Sequence, residues 1–185
     1  MNIELQNNFY IVRHGKAENN KLGIESHKIE TQKAYGLTSE GKEVVSKESQ
    51  KYNDFDLIYS SPFRRTQETA SFFTKTSDCD LILDERLVDI DLGDDLDLKS
   101  YEISRAFVKE HPDNDYVYPN GESFSQTVNR LTSFMEEINS KNRGKKVLIV
   151  THGFPCEVLI DWVANKPMKK WDKCIEKGKV FTLEP

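Results

Sequence analysis

Two histidines occupy matching places in the chain. His14 stands in FYIVRHG (residues 9–15) and His152 in VLIVTHG (residues 147–153), each an apolar run, one polar residue, then His-Gly. Arg13 directly precedes His14, and a third apolar run, Phe55 to Tyr59, delivers Ser60 and Ser61 and then Arg64 and Arg65. Guanidinium groups offer forked donors that match phosphate oxygens, and a helix start adds backbone N–H groups and partial positive charge. A neutral imidazole there is a competent nucleophile at phosphorus, because a covalent intermediate splits one displacement into two easier ones. A second imidazole, if protonated, would stabilise the transition-state oxygens. A lone His-Gly after a strand reads as a turn; two of them with these arginines suggest a phosphoryl site whose division of labour needs no metal ion.

Those side chains meet only if the elements carrying them end at one place. Four short β-rich runs, Phe9 to Val12, Phe55 to Tyr59, Leu81 to Leu83 and Val147 to Val150, each precede strand-stopping residues, and 177–183 predicts a last strand. Between them the pattern predicts helices over 39–52, 63–75, 122–141 and 154–163; in the third, Phe124, Val128, Leu131, Phe134, Met135 and Ile138 recur at helical spacing. Alternation of strand and helix predicts an α/β fold, a three-layer α/β/α sandwich with a mostly parallel central sheet. In such a sheet the carboxyl ends of strands share one edge, where ligands bind, so His14, His152 and the Ser61–Arg65 turn are expected at one rim. Residues 84–120 are acidic and broken by Gly93, Pro112 and Pro119. They are expected to be a lid-like insertion or substrate wall with one helix over 99–110.

The 185 residues are 37% hydrophobic and 31% charged, which suits a single domain over 1–185 that folds without staples. Lys+Arg 26 against Asp+Glu 31 gives a net charge of -5, so no general basic field exists to hold nucleic acid or an anionic membrane. No apolar run approaches the roughly 18 residues of a membrane span, and MNIELQNNFYIVRHG lacks a basic segment followed by a long apolar core; a cytoplasmic protein is expected. Cys79, Cys156 and Cys174 have no metal-type spacing and are expected as free thiols. Neither Cys79 nor Cys156 has the arginine at the sixth following position that a thiol phosphatase cradle needs: that arginine comes one residue late at Arg86, and Trp162 stands in its place after Cys156. Asp89, Asp91 and Gly93 do not satisfy a calcium-loop pattern, whose twelfth position is Ser100 here. No metal or cofactor is implied, and His27 and His111, with no motif around them, are expected at the surface.

Taken in order, RHGKAENN, LTSEG, DLIYSSPFRRTQETA, DERLVDIDLG, YPNGESFSQTVNRL and VLIVTHG resemble the histidine phosphatase superfamily, the phosphoglycerate mutase-like group, over nearly the whole chain. The resemblance implies that His14 is the phosphorylated nucleophile and that Arg13, Asn20, Arg65 and His152 bind the phosphoryl oxygens, with the N–H of Gly153 completing the cradle. Arg64 is expected to face solvent or the rim. Gly121, Glu122 and Ser123 match a Gly-Glu-Ser at a helix start, where Ser123 is first a cap and second a pocket residue.

The chain departs from the family where the phosphatase branch carries a glutamate as proton donor. Here LVDIDLGDDLD puts Asp89 at that position, with Asp91 as substitute and a solvated acidic loop as the plain alternative. An aspartate donating near neutrality must be desolvated or lie near other negative charge, for which Asp91, Asp94 and Asp95 are the candidates. The resemblance thus implies a metal-independent phosphomonoester hydrolase of the histidine acid phosphatase type, acting through phosphohistidine on a small phosphorylated metabolite. The alternatives are a phosphohistidine protein phosphatase, a phosphoglycerate mutase and a non-catalytic phospholigand-binding module. The resemblance gives mutases a C-terminal extension over the site, which the residues to Pro185 do not include. Few basic residues cluster in 84–120, which speaks against polyphosphates, and Tyr101, Tyr116 and Tyr118 are expected to pack rather than to line a pocket.

Overall fold

The computed structural model describes residues 4–167 and 175–183; Cys174 lies outside them. Strands β1 (Asn8–Arg13), β2 (Leu57–Ser60), β3 (Leu81–Leu83), β4 (Lys146–Thr151) and β5 (Val180–Leu183) form one sheet in the order β3-β2-β4-β1-β5. β1, β2, β3 and β4 run parallel, and β5 pairs antiparallel with β1. The helices are α1 (Glu18–Leu22), α2 (Ile29–Gln32), α3 (Ser39–Ser49), α4 (Arg64–Ser77), α5 (Tyr101–Glu110), α6 (Phe124–Lys141) and α7 (Gly153–Val163), with a 3-10 turn over Glu85–Leu87.

The period of two along the strands divides the core. Phe9, Ile11, Tyr59, Val147 and Ile149 point to one face, against Leu131, Phe134, Met135 and Ile138 of α6 and Val158, Leu159 and Trp162 of α7. Val12, Ile58, Leu148 and Val150 point to the other, against Val45 of α3 and Ala70 and Phe73 of α4. Both faces are therefore apolar, as a parallel sheet requires, and the expected three-layer sandwich is the observed one. Each fully buried side chain of this size contributes roughly 1.5–3 kcal/mol, so the sheet is fixed firmly enough to serve as the base of a site.

Expected elements appear with ends moved by a few residues. α3 stops at Ser49 rather than 52, and β2 starts after Phe55, which is buried just ahead of the strand. The short helices α1 and α2 were not foreseen, because one or two turns show no periodicity. α2 matters all the same: Gln32 Oε1 accepts from the N–H of Arg64 at 2.6 Å and caps α4, whose own Phe63 cannot. Ser123 is the N-cap of α6, accepting from Gln126 N–H at 3.1 Å while Gln126 Oε1 accepts from Ser123 N–H at 2.7 Å.

Two histidines expected at the surface are not there. His27 is only 6% exposed and its Nε2–H donates to Gly93 O at 3.0 Å, with carboxylates of Asp91 and Asp97 nearby. His111 is half-buried, stacked on Tyr116 and tilted against Phe107, while Tyr118 is buried beside them. In both cases packing by a long loop decides, and no local pattern announces it. Cys156 is buried and Cys79 half-buried, both as free thiols.

Gly41 in the first turn of α3 sits against the chain just after His14. A Cβ there would lie 2.2 Å from Lys16 O, the carbonyl that already accepts from Thr38 N–H and Thr38 Oγ1. Ala normally gains up to about 1 kcal/mol over Gly inside a helix. Gly41→Ala is expected instead to destabilise, by about 1–3 kcal/mol, because the contact is with backbone held from two sides. Chemical denaturation measures it, and a stabilised variant would contradict this packing.

Candidate active site

Register brings the two His-Gly turns together. Arg13 lies opposite Thr151 in the β1–β4 pair, so the next residues, His14 and His152, emerge side by side with ring centroids 5.3 Å apart. His14 N–H is tied to Thr151 O at 2.9 Å, and Thr151 Oγ1 donates to Leu87 O at 2.6 Å. Thr69 of α4 holds the following turn, its Oγ1 accepting from Gly15 N–H at 3.1 Å and donating to Arg65 O at 2.7 Å. That contact explains the second threonine in RRTQETA.

Arg65 is the centre of the arrangement and is 2% exposed. Its Nε–H points to His14 Nε2 at 3.2 Å, and its Nη2–H groups to Ser26 O at 3.0 Å and His152 Nδ1 at 3.1 Å. These bonds assign the imidazole tautomers. His14 Nδ1–H donates to Gly15 O at 2.8 Å and leaves the Nε2 lone pair facing the site. His152 accepts at Nδ1, so its Nε2–H donates to Ser61 Oγ at 2.9 Å. Burial first, then the Arg65 charge, holds both imidazoles well below their usual pKa. The second imidazole is thus neutral beside Arg65, rather than the imidazolium that a transition-state role would use; a dianion in the site would supply the missing counter-charge. Burial lowers Arg65 itself to about 10, which still leaves it cationic at neutrality.

Arg13 comes from the same edge. Its Nη1 donates to Ile175 O at 2.9 Å, and its guanidinium lies where a Cβ on Gly153 would intrude at 3.1 Å. Gly153 is therefore required for close approach of Arg13 to the N-terminus of α7. Arg13 Nε and Arg65 Nη1 are buried with no acceptor among the described residues. Two buried guanidinium donors without acceptors among the described residues, next to a lone-pair imidazole nitrogen, make a cradle that a tetrahedral oxyanion could fill.

Asp89 reaches the cradle from the chain after the 3-10 turn. Its Oδ1 accepts from Ile90 N–H at 3.1 Å, and its Oδ2 lies 3.8 Å from His152 Nδ1. Burial raises its pKa, opposed by Arg65 and Arg13. Arg130 of α6 fixes the segment, donating to the carbonyls of Arg86, Val88 and Asp89 and to both oxygens of Glu122. Glu122 Oε1 also accepts from Asp91 N–H at 3.1 Å. Asp91 and Asp94 bind Lys28 instead of facing the cradle, and Asp94 is exposed. Two further acids share the site, Glu25 and Glu157 of α7, which sequence reasoning missed.

A cavity of about 640 Å³ opens from this cradle, large enough for a metabolite. Arg13, His14, Asn20, Arg65, Asp89 and Gly153 line it, and His152 lies directly behind at full burial. Asn20 is engaged from both ends of its amide: Oδ1 accepts from Ala17 N–H at 3.1 Å and Nδ2 donates to the hydroxyl of Tyr101 at 2.8 Å. Arg64 faces solvent in an ion pair with Glu68. Tyr101, expected to pack, lines the cavity, as do Arg105 and Lys109 of α5, so the excursion does bring basic groups to it. Their spacing of one helical turn could have signalled it. Among the described residues no cluster of three His, Cys, Asp or Glu side chains is arranged to hold a metal ion, and no helix is long and apolar enough to cross a membrane.

Comparison with known proteins gives the same outline. The model of the histidine phosphatase superfamily (branch 1) matches residues 9–184. Phosphoserine phosphatase 1 from Hydrogenobacter thermophilus is 27% identical over 158 residues, 80% of this chain and 72% of that protein. A probable phosphoglycerate mutase, GpmB of Erwinia tasmaniensis, is 26% identical over 167 residues, 85% of this chain and 75% of that protein. A phosphoserine phosphatase from Entamoeba histolytica, solved with 3-phosphoglyceric acid, superposes with a TM-score of 0.79 at 21% identity, covering 95% of this chain and 89% of that one. At that identity the superposition speaks for the fold.

The Arg130–Glu122 pair is expected to act as a unit. Arg130→Met should destabilise by about 1–3 kcal/mol, since Glu122 keeps its charge and three carbonyls lose a donor. Adding Glu122→Gln should then cost less than it does alone, a coupling of at least about 0.5 kcal/mol in a double-mutant cycle. Additive losses would show that the two do not cooperate.

Proposed function

The chain belongs to the histidine phosphatase superfamily, branch 1, and on that premise we propose that it hydrolyses a phosphate monoester of a small metabolite through a phosphohistidine on His14, without a metal ion. The observation that carries this reading is the pair of buried donors, Arg13 Nε and Arg65 Nη1, left without acceptors beside the lone pair of His14 Nε2. A phosphoryl group placed there accepts from both guanidiniums and draws the Arg65 donor away from His14 Nε2, freeing the lone pair for attack.

In the first half of the reaction His14 Nε2 forms a bond to phosphorus as the bond to the ester oxygen breaks. The departing oxygen takes a proton from the carboxyl of Asp89. His152, already directed by Arg65 and Ser61, lies against the equatorial oxygens, and the N–H of Gly153 at the start of α7 adds partial positive charge. In the second half water attacks phosphorus, the same carboxylate takes the water proton, and the P–N electron pair returns to His14.

Arg105 and Lys109, which line the cavity together with the cradle residues, support a leaving group with an anionic end. The phosphoserine phosphatase and the phosphoglycerate mutase relatives carry names consistent with such compounds. A mutase reading uses the same residues and differs in the fate of phosphohistidine.

Turnover of p-nitrophenyl phosphate is expected to persist in EDTA and to vanish in His14→Ala, with acid-labile, base-stable phosphate trapped on the unsubstituted protein alone. Arg65→Ala is expected to lower kcat by roughly 100-fold to 1,000-fold, as loss of an oxyanion donor does. Unchanged turnover in His14→Ala would sink the mechanism. Phosphohistidine that resists water yet passes its phosphoryl group to 3-phosphoglycerate would turn the assignment to a mutase.

A further inference from the structure

Glu25 lies between α1 and α2, outside every motif of the sequence, yet its side chain lines the cavity together with Asp89. Its backbone is fixed: Glu25 N–H donates to Lys99 O at 2.8 Å, and the next residue, Ser26, offers its carbonyl to Arg65. Its carboxyl is held by no hydrogen bond from a described residue. A carboxyl that lines the cavity and is left without a donor is available to substrate.

We propose that Glu25 and Asp89 form one acid site, a carboxyl pair that holds a single proton between them and supplies it to the ester oxygen leaving phosphorus. This rests on the phosphohistidine reading and completes its proton inventory. Asp89 touches the cradle and delivers; Glu25 keeps the pair from losing its proton at neutrality.

Two carboxylates drawn into one desolvated cavity repel, so the first proton binds far more tightly than to either alone. The surroundings of the two differ, which separates their roles. Burial raises the proton affinity of Asp89, with Arg65, Arg13 and the Ile90 N–H opposing it. Burial and the Asp89 charge push Glu25 up to about 7, against the pull of Arg65, Arg105 and Arg13. The other titratable and charged groups facing this space are His14 from the end of β1, and Tyr101 and Lys109 of α5. Glu157 of α7 and Lys177 complete it. A dianionic phosphoryl group occupies the guanidiniums that now stabilise the carboxylates, so substrate entry itself raises the proton affinity of the pair.

The step balances. The P–O bond breaks, its electron pair stays on the ester oxygen, and the pair's proton moves to that oxygen, leaving two carboxylates. When water attacks phosphohistidine its proton restores the pair, the P–N electron pair returns to His14, and phosphate leaves.

Sulfate tests the pair apart from turnover, since it mimics the dianion and does not itself titrate near neutrality. Calorimetry at pH 8 in buffers of different ionisation enthalpy measures protons taken up per sulfate bound. The imidazoles also gain proton affinity, so the readout is the difference between proteins: Glu25→Gln is expected to take up less, by roughly half a proton per site. In turnover, Glu25→Gln should lose roughly 100-fold with an alkyl phosphate, which needs the proton, and little with p-nitrophenyl phosphate, which does not. Sulfate binding with equal proton uptake in both proteins, or equal loss on both esters, overturns the pair while leaving the phosphohistidine mechanism intact. Failure of the unsubstituted protein to bind sulfate overturns the cradle itself, and the pair with it.

Discussion

One buried guanidinium organises the site. Burying Arg65 is costly unless its donors are met, and the fold meets them with a backbone carbonyl from the segment before α2 and with two ring nitrogens from the ends of β1 and β4. Burial, with the same charge second, keeps both imidazoles unprotonated. Displacing Arg65 would therefore change histidine protonation, loop position and anion affinity together. The remaining buried donor of Arg65 and that of Arg13 are what the fold leaves open, and a tetrahedral oxyanion answers both.

The sheet supplies precision at this point because β1 and β4 are adjacent and in register, with a covered apolar face on each side. A shift of one residue in that pairing would send His14 or His152 to the opposite face. Outside the sheet, precision comes from polar clamps. Arg130 and Glu122 hold the chain that carries Asp89, and Gln32 holds the start of α4.

His14, His152, Arg13 and Arg65 were legible in the sequence because each follows a recognisable strand at a fixed distance, and parallel strands end at one edge whatever the details. The layers were legible for a related reason: strand and helix periods are local. Asp89 could be placed by resemblance, while Glu25 could not, because Asp91 and Asp94 are near in sequence but turn toward Lys28, and Glu25 is far in sequence but shares the cavity. His27 escaped for the same reason, its burial being set by Gly93 and Asp97 from a different loop. Loop-to-loop packing has no period to read.

The segment after α1 and the start of α5 are stitched at three points by backbone: Ile24 bridges Ser100, Glu25 N–H meets Lys99 O, and Tyr101 N–H meets Gly23 O. Together they form a two-piece cuff, one piece carrying Glu25 and the other Tyr101, Arg105 and Lys109. Side-chain identity does not enter those stitches, so residues on either piece can diverge freely while the join persists. Changes in length cannot, because an insertion on one side slides its carbonyls out of step with the other. Lineages that retune this wall are thus constrained to vary the two stretches by substitution, or to lengthen and shorten them in concert, and a graft of either stretch alone would open a seam in the wall of the cavity.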